Sequence, residues 1–152
     1  MALKRIEKEY QDIQKYISTN DDLHISISKN ELNEFEWNVF ILGPINSPYE
    51  GGLFEFHVTF PKDYPFKRFT VLLKTKIYHP NFSTKGDLCC ALGFCGDNWS
   101  PACTFLKSAE LIYSLLKDPH FYDECIDMEF KGLKFDDEFI KKAKEYTTKY
   151  AM

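Results

Sequence analysis

Leu53-Phe54-Glu55-Phe56-His57-Val58-Thr59-Phe60 is the stretch on which the architecture turns. Phe54, Phe56, Val58 and Phe60 fall on alternate positions, the period of a strand with one buried face. Gly51-Gly52 before it and Pro61 after it bound the run. Upstream, a second strand is predicted around Glu36 to Leu42, stopped by Gly43-Pro44. Before that, Leu23, Ile25 and Ile27 alternate with His24, Ser26 and Ser28, and Lys29-Asn30 with Asn33 supply the turn between the two. Downstream, Val71 to Lys74 suggests a fourth strand. Helical spacing frames this set. Leu3, Ile6, Tyr10 and Ile13 recur at the period of an amphipathic helix, with Lys4, Arg5, Glu7, Lys8 and Glu9 between them. A helix is predicted from about Phe105 to Lys117, with Leu106, Ala109, Ile112, Tyr113 and Leu116 inward, and Asp118-Pro119 closes it. Another runs from about Asp136 to Tyr150 with Phe139, Ala143, Tyr146 and Tyr150 inward. The expectation is an α+β fold: an N-terminal helix, a four-stranded antiparallel meander sheet and C-terminal helices, in a single domain over 1–152.

Composition narrows the function. A chain of 152 residues suits one domain with a sizeable core. Hydrophobic residues at 44% and charged residues at 28% are those of a globular protein. A formal net charge of −4 argues against nucleic acid as the main partner, because phosphate binding needs a basic excess. No apolar run approaches the roughly 20 residues that span a bilayer, and Met1 to Tyr10 lacks the apolar stretch of a signal peptide. No secretion and no membrane partner are therefore expected.

From Ile77 to Thr104 periodicity fails, while His, Asn, Trp, Pro and four of the five cysteines crowd together. A long irregular stretch of this kind in a compact domain usually carries function. Cys89, Cys90, Cys95, Cys103 and Cys125 are an odd number, all in the second half, which does not read as a disulfide framework. Their gaps also miss the two-residue spacing of a zinc knuckle, so no metal is expected. One of them as a nucleophile remains, with Cys90 the rival to Cys89, and His79 invites a Cys–His pairing or a packing role.

The decisive pattern is the order of short motifs. Gly43-Pro44, Ser47-Pro48-Tyr49-Glu50-Gly51-Gly52 and Phe60-Pro61-Lys62-Asp63-Tyr64-Pro65-Phe66 come first. Tyr78-His79-Pro80-Asn81, Gly86, Cys89 and Trp99-Ser100-Pro101-Ala102 follow. In that order the chain resembles the ubiquitin-conjugating enzyme family end to end, its two termini looking like the core-only, broad-specificity branch. The resemblance implies a transferase that accepts ubiquitin from the activating enzyme as a thioester on Cys89. It then passes the ubiquitin to a substrate lysine with a RING or U-box ligase, or to the cysteine of a HECT-type ligase. Sulfur fits the task, since its thiolate is accessible near neutral pH and its thioester is activated toward amines.

By the same resemblance Asn81 either stabilises the tetrahedral oxyanion or braces the nearby loop. Asp123 orients the incoming lysine, with a helix cap as its alternative, and His79 is structural. Lys4, Arg5 and Lys8 on the first helix face the activating enzyme and ligases. Phe66 with Ser100, Pro101 and Ala102 receives the ligase, and Ser26 corresponds to the strand position of a backside ubiquitin contact. No cofactor is implied, because ATP is consumed by the activating enzyme, and the implied compartment is cytoplasmic and/or nuclear. A non-catalytic ubiquitin-binding adaptor of the same fold, or a conjugating enzyme for another ubiquitin-like modifier, are the alternatives.

Four departures from the family pattern surround the site. Cys89 is followed by Cys90-Ala91 in place of Leu-Asp, and about two extra residues separate Cys89 from Trp99. Arg68-Phe69 replaces a double proline, and His120 to Cys125 replaces a proline-rich segment.

Overall fold

Residues 1–20, 23–88, 99–121, 130 and 132–152 are described by the structure, a computed structural model. Alternation builds the sheet. β1 (Ile25–Lys29), β2 (Glu36–Leu42), β3 (Leu53–Thr59) and β4 (Thr70–Leu73) pair antiparallel in the order β1-β2-β3-β4, a meander. The register sets Ile27 opposite Val39, Val39 opposite Phe56, and Phe56 opposite Leu73, so one buried row crosses all four strands. A slip of one residue would turn that row to solvent, so burial itself holds the register.

Three helices cover the inner face among the described residues: α1 (Ala2–Thr19), α2 (Phe105–Lys117) and α3 (Asp137–Tyr150). Aromatic edges join the layers. Trp37 of β2 meets Phe60 at 4.6 Å and Phe105 of α2 at 5.7 Å, and Phe69 meets Phe105 at 5.5 Å. Each edge-on pair adds a fraction to about 1.5 kcal/mol beyond the area buried. On α3, Phe139 packs on Tyr78 at 5.2 Å. Asp136 caps that helix by accepting from the Phe139 N–H at 3.0 Å, and Asp137 and Glu138 in the first turn suit the helix dipole.

β2 and α2 stand at their expected ends and β3, β4 and α3 within a residue of theirs, while β1 starts at Ile25, two residues after the alternation begins at Leu23, and α1 continues past Ile13 to Thr19; several inward faces are also corrected. On α1 the buried stripe is Ala2, Ile6, Glu9 and Ile13, while Leu3 is 41% exposed. On α2, Phe105 and Leu115 are buried and Leu106 and Tyr113 only half-buried. On α3, Thr147 takes the buried place expected of Tyr146 and Tyr150. In each case the true stripe is rotated by about one position, because spacing alone leaves a helix free to turn by a residue or so. A polar residue that pairs inside, such as Glu9, is invisible to a search for apolar ones.

Two close backbone approaches shape the loops. A Cβ on Gly43 would lie 1.8 Å from the Tyr49 carbonyl oxygen, which tucks the 43–52 loop against the start of β3. Gly86 has φ +95°, and a Cβ there would lie 2.1 Å from the Leu73 carbonyl oxygen. Its own carbonyl accepts from the Leu73 N–H at 3.0 Å. The 83–88 segment is thereby pinned to the edge of β4.

Candidate functional site

Cys89, Cys90, Cys95, Cys125 and Asp123 lie outside the described residues, so the site is built from the frame on either side of them. Leu88, the residue before Cys89, is buried and bridges antiparallel to Phe82. The segment that leads into Cys89 is thus fixed on the sheet edge by Gly86 and on the core by Leu88.

His79 is fully buried behind that segment. Its Nδ1 accepts from the Asn81 N–H at 3.1 Å, so its Nε2 carries the proton and donates to the Leu115 carbonyl at 2.8 Å. Both ring nitrogens are engaged by backbone, and neither is left to activate a thiol. Burial pushes the imidazole pKa down to about 4; the Leu115 bond offsets part of that, and the nearby His120 lowers it to a lesser extent. The sign of the linkage follows. Between about pH 6.5 and 4 the unfolded chain binds a proton that folded His79 refuses, so acidification through that window costs stability. The full cost is on the order of 3 kcal/mol. Urea unfolding of wild type and His79→Gln from pH 7 to 4.5 checks this: the wild-type curve should fall more steeply, and parallel curves would refute the burial effect.

Asn81 is equally buried and grips one residue twice. Its Nδ2 donates to the His120 carbonyl at 2.8 Å, and its Oδ1 accepts from the His120 N–H at 3.0 Å. His120 follows the end of α2, where Asp118-Pro119 closes the helix. Asn81 therefore clamps the start of the segment that contains Asp123. Tyr49 adds support: its hydroxyl donates to the Tyr78 carbonyl at 2.6 Å and its ring lies 5.4 Å from that of His79. Burial raises its pKa well above the ordinary tyrosine value.

A second cluster lies at the α1 end of the sheet. Phe66 is 70% exposed, and Ser100, Pro101 and Ala102 are exposed beside it. Trp99 joins the two loops, its indole N–H donating to the Pro65 carbonyl at 2.8 Å. Phe69, one of the departures, fills the core beneath them, 5.5 Å from Trp99, and Arg68 lines a cleft of about 360 Å³ between the loops and α2.

Under this platform sits Glu9, which the sequence reading counted as a surface charge. It is 5% exposed. One carboxylate oxygen accepts from the Arg5 guanidinium at 2.8 Å and from the Tyr64 hydroxyl; the other accepts from the Phe105 N–H, the first of α2, at 2.8 Å. Burial first, and then the Glu9 bond, raises the Tyr64 pKa. Arg5 also donates to the Cys103 carbonyl at 3.0 Å and is only half-exposed, so its charge is spent internally while Lys4 and Lys8 stand in solvent. The signal for Glu9 was its place between Ile6 and Ile13 on the apolar stripe, with Arg5 one turn earlier.

Ser26 lies elsewhere, exposed on the outer face of the sheet opposite Phe40. It borders a shallow cleft of about 310 Å³ with Ile17, Leu42 and Leu53. The structure thus joins His79 with Asn81, and Phe66 with Ser100 to Ala102, and leaves Ser26 on a separate surface. Among the described residues no group of three or more His, Cys, Asp or Glu is placed to hold a metal, and no described helix is long and apolar enough to cross a membrane.

Comparison with known proteins places this frame. A solved structure from Plasmodium yoelii, provisionally described as a ubiquitin conjugating enzyme, is 34% identical. It superposes with a TM-score of 0.85 over 99% of this chain and 96% of that one. The E2 domain of a Toxoplasma gondii ubiquitin conjugating enzyme is 32% identical, with a TM-score of 0.82 over 98% of each chain. The ubiquitin-conjugating enzyme family model matches residues 5–147. With the meander sheet, its flanking helices and the pinned segment before Cys89, this match over nearly the whole length shows that the chain belongs to the ubiquitin-conjugating enzyme family.

Proposed function

We propose that the chain carries ubiquitin on Cys89. The Cys89 thiolate attacks the carbonyl carbon of the thioester held by the activating enzyme; the new C–S bond forms as the old one breaks, and the activating enzyme's thiolate leaves. A substrate lysine amine then attacks the same carbon, Cys89 leaves as thiolate, and the amine's proton passes to solvent or to a carboxylate such as Asp123. What carries the reading is the family match over residues 5–147 together with the motif order around Cys89. Asn81 acts in it through the His120 backbone, which it holds at both the N–H and the carbonyl, and His79 is a structural donor. Lys4, Lys8, Phe66 and Ser100 to Ala102 form the face for the activating enzyme and ligases, and Ser26 marks a separate ubiquitin contact.

The test is direct. Incubation with ubiquitin, activating enzyme and ATP should give a reductant-sensitive adduct on a non-reducing gel. Cys90→Ala should keep it and Cys89→Ala should lose it. The reverse pattern would move the nucleophile to Cys90, and no adduct from wild type would favour a ubiquitin-binding adaptor. Charging by another ubiquitin-like modifier in preference to ubiquitin would reassign the cargo.

A further inference from the structure

The chain is acidic overall, yet one edge gathers lysines. Tyr78, Tyr146 and Tyr150 form a ladder of rings from the end of the β4 loop down α3, with centroids 5.4 and 5.3 Å apart. Ammonium groups lie along it: Lys142 is 4.8 Å from the Tyr78 ring, while Lys76 and Lys149 are 5.0 and 5.1 Å from that of Tyr150. Such contacts tether the side chains without neutralising their charge. Beside the ladder opens a cleft of about 280 Å³, lined by Lys74 and Lys76, by the hydroxyls of Thr75, Ser83 and Thr84, by apolar side chains such as Phe82 and Phe130 and, among the described residues, by no carboxylate. Lys74, Lys76, Lys142 and Lys149 are all exposed, and none pairs with a carboxylate among the described residues. Glu145, between Lys142 and Lys149 on α3, and Asp87, beyond Gly86, are exposed and make no ion pair with them.

Four lysines with no ion-pair partner among the described residues, Glu55 on the neighbouring strand included, repel one another around a cleft of mixed lining, and that repulsion is relieved by an anionic occupant. The cleft's position says which. Its wall includes Phe82, Ser83 and Gly86, the segment that runs through Leu88 into Cys89. We propose that this cleft docks an Asp- and Glu-rich segment of the acceptor protein, so that lysines near acidic sequence are preferred; this rests on Cys89 as the carrier of ubiquitin. Carboxylates of the segment pair with Lys74 and Lys76, the hydroxyls of Ser83 and Thr84 donate to the same groups, and Lys142 and Lys149 extend the field along α3.

The probe is a fluorescent lysine peptide flanked by glutamates, with a glutamine-flanked copy as control, followed by anisotropy with the full chain. Wild type should bind the glutamate peptide about tenfold more tightly than the glutamine one, and less tightly as salt rises. Lys74→Glu/Lys76→Glu should remove that preference. Lys15→Glu/Lys62→Glu, which changes net charge equally at exposed positions away from the cleft, should keep it. Equal loss in both double variants, equal binding of the two peptides, or tighter binding to phosphatidylserine vesicles or a DNA oligonucleotide overturns the proposal. This binding measurement does not use Cys89. A second arm compares discharge of the charged protein onto the two peptides: a preference for the glutamate peptide supports acceptor docking, and binding without preference refutes it. Failure to charge at all refutes the Cys89 reading instead.

Discussion

Glu9→Ala should lower the unfolding free energy by about 3–5 kcal/mol, the range for breaking a buried charge pair by removing one partner. The alanine would leave three donors from three elements without their acceptor: the Arg5 guanidinium on α1, the Tyr64 hydroxyl before the exposed Phe66, and the first N–H of α2. Each unpaired buried group adds its own desolvation cost. Glu9→Gln keeps the size and one carbonyl acceptor but loses the charge, and should fall between the two. Guanidinium unfolding of all three proteins decides the point. A loss below about 1 kcal/mol for alanine would mean that the carboxylate is solvated, not shared. If the alanine variant fails to fold, the glutamine variant still ranks against wild type.

Asn81→Ala should leave thioester formation intact and slow discharge onto free lysine by up to about a hundredfold, the scale at which misplacing a group by an ångström acts. The clamp on His120 explains the expected pattern. Without the amide, the His120 N–H and carbonyl lose their partners, and the start of the segment that contains Asp123 loses its anchor. A role through His120 requires that stability and discharge fall together. Slowed discharge with stability untouched would refute that role. Asn81→Asp sharpens the reading, since it keeps an acceptor for the His120 N–H and removes the donor to its carbonyl. Single-turnover discharge beside thermal unfolding separates the cases, and unchanged discharge would remove Asn81 from the reaction.

The sheet was legible because Phe54, Phe56 and Val58 alternate against a solvent-facing Glu55 and His57, and Gly43-Pro44 and Pro61 end β2 and β3 where the chain turns. Helix faces were legible only to within a residue, since the pattern of α1 admits Leu3 or Ala2 on the inner side until neighbours choose. The order of short motifs singled out His79 and Asn81, which the structure joins. It could not say that the Asn81 side chain spends its bonds on the His120 backbone, because that partner is 39 residues away and is met through its peptide group, which every residue shares. Glu9 escaped notice for the converse reason: a carboxylate among lysines on an amphipathic helix reads as surface until three donors from three elements converge on it.

Trp99, which ties the Pro65 carbonyl to the loop of Ser100, has an optical consequence. The chain has two indoles, and the other, Trp37, is 1% exposed under the sheet. Their emission is therefore partitioned by environment, one chromophore sealed in the core and the other half-exposed at the seam between two surface loops. Collisional quenchers distinguish them, so the protein carries its own spectroscopic gauge of what happens at that seam, with no label attached to the face that partners would use.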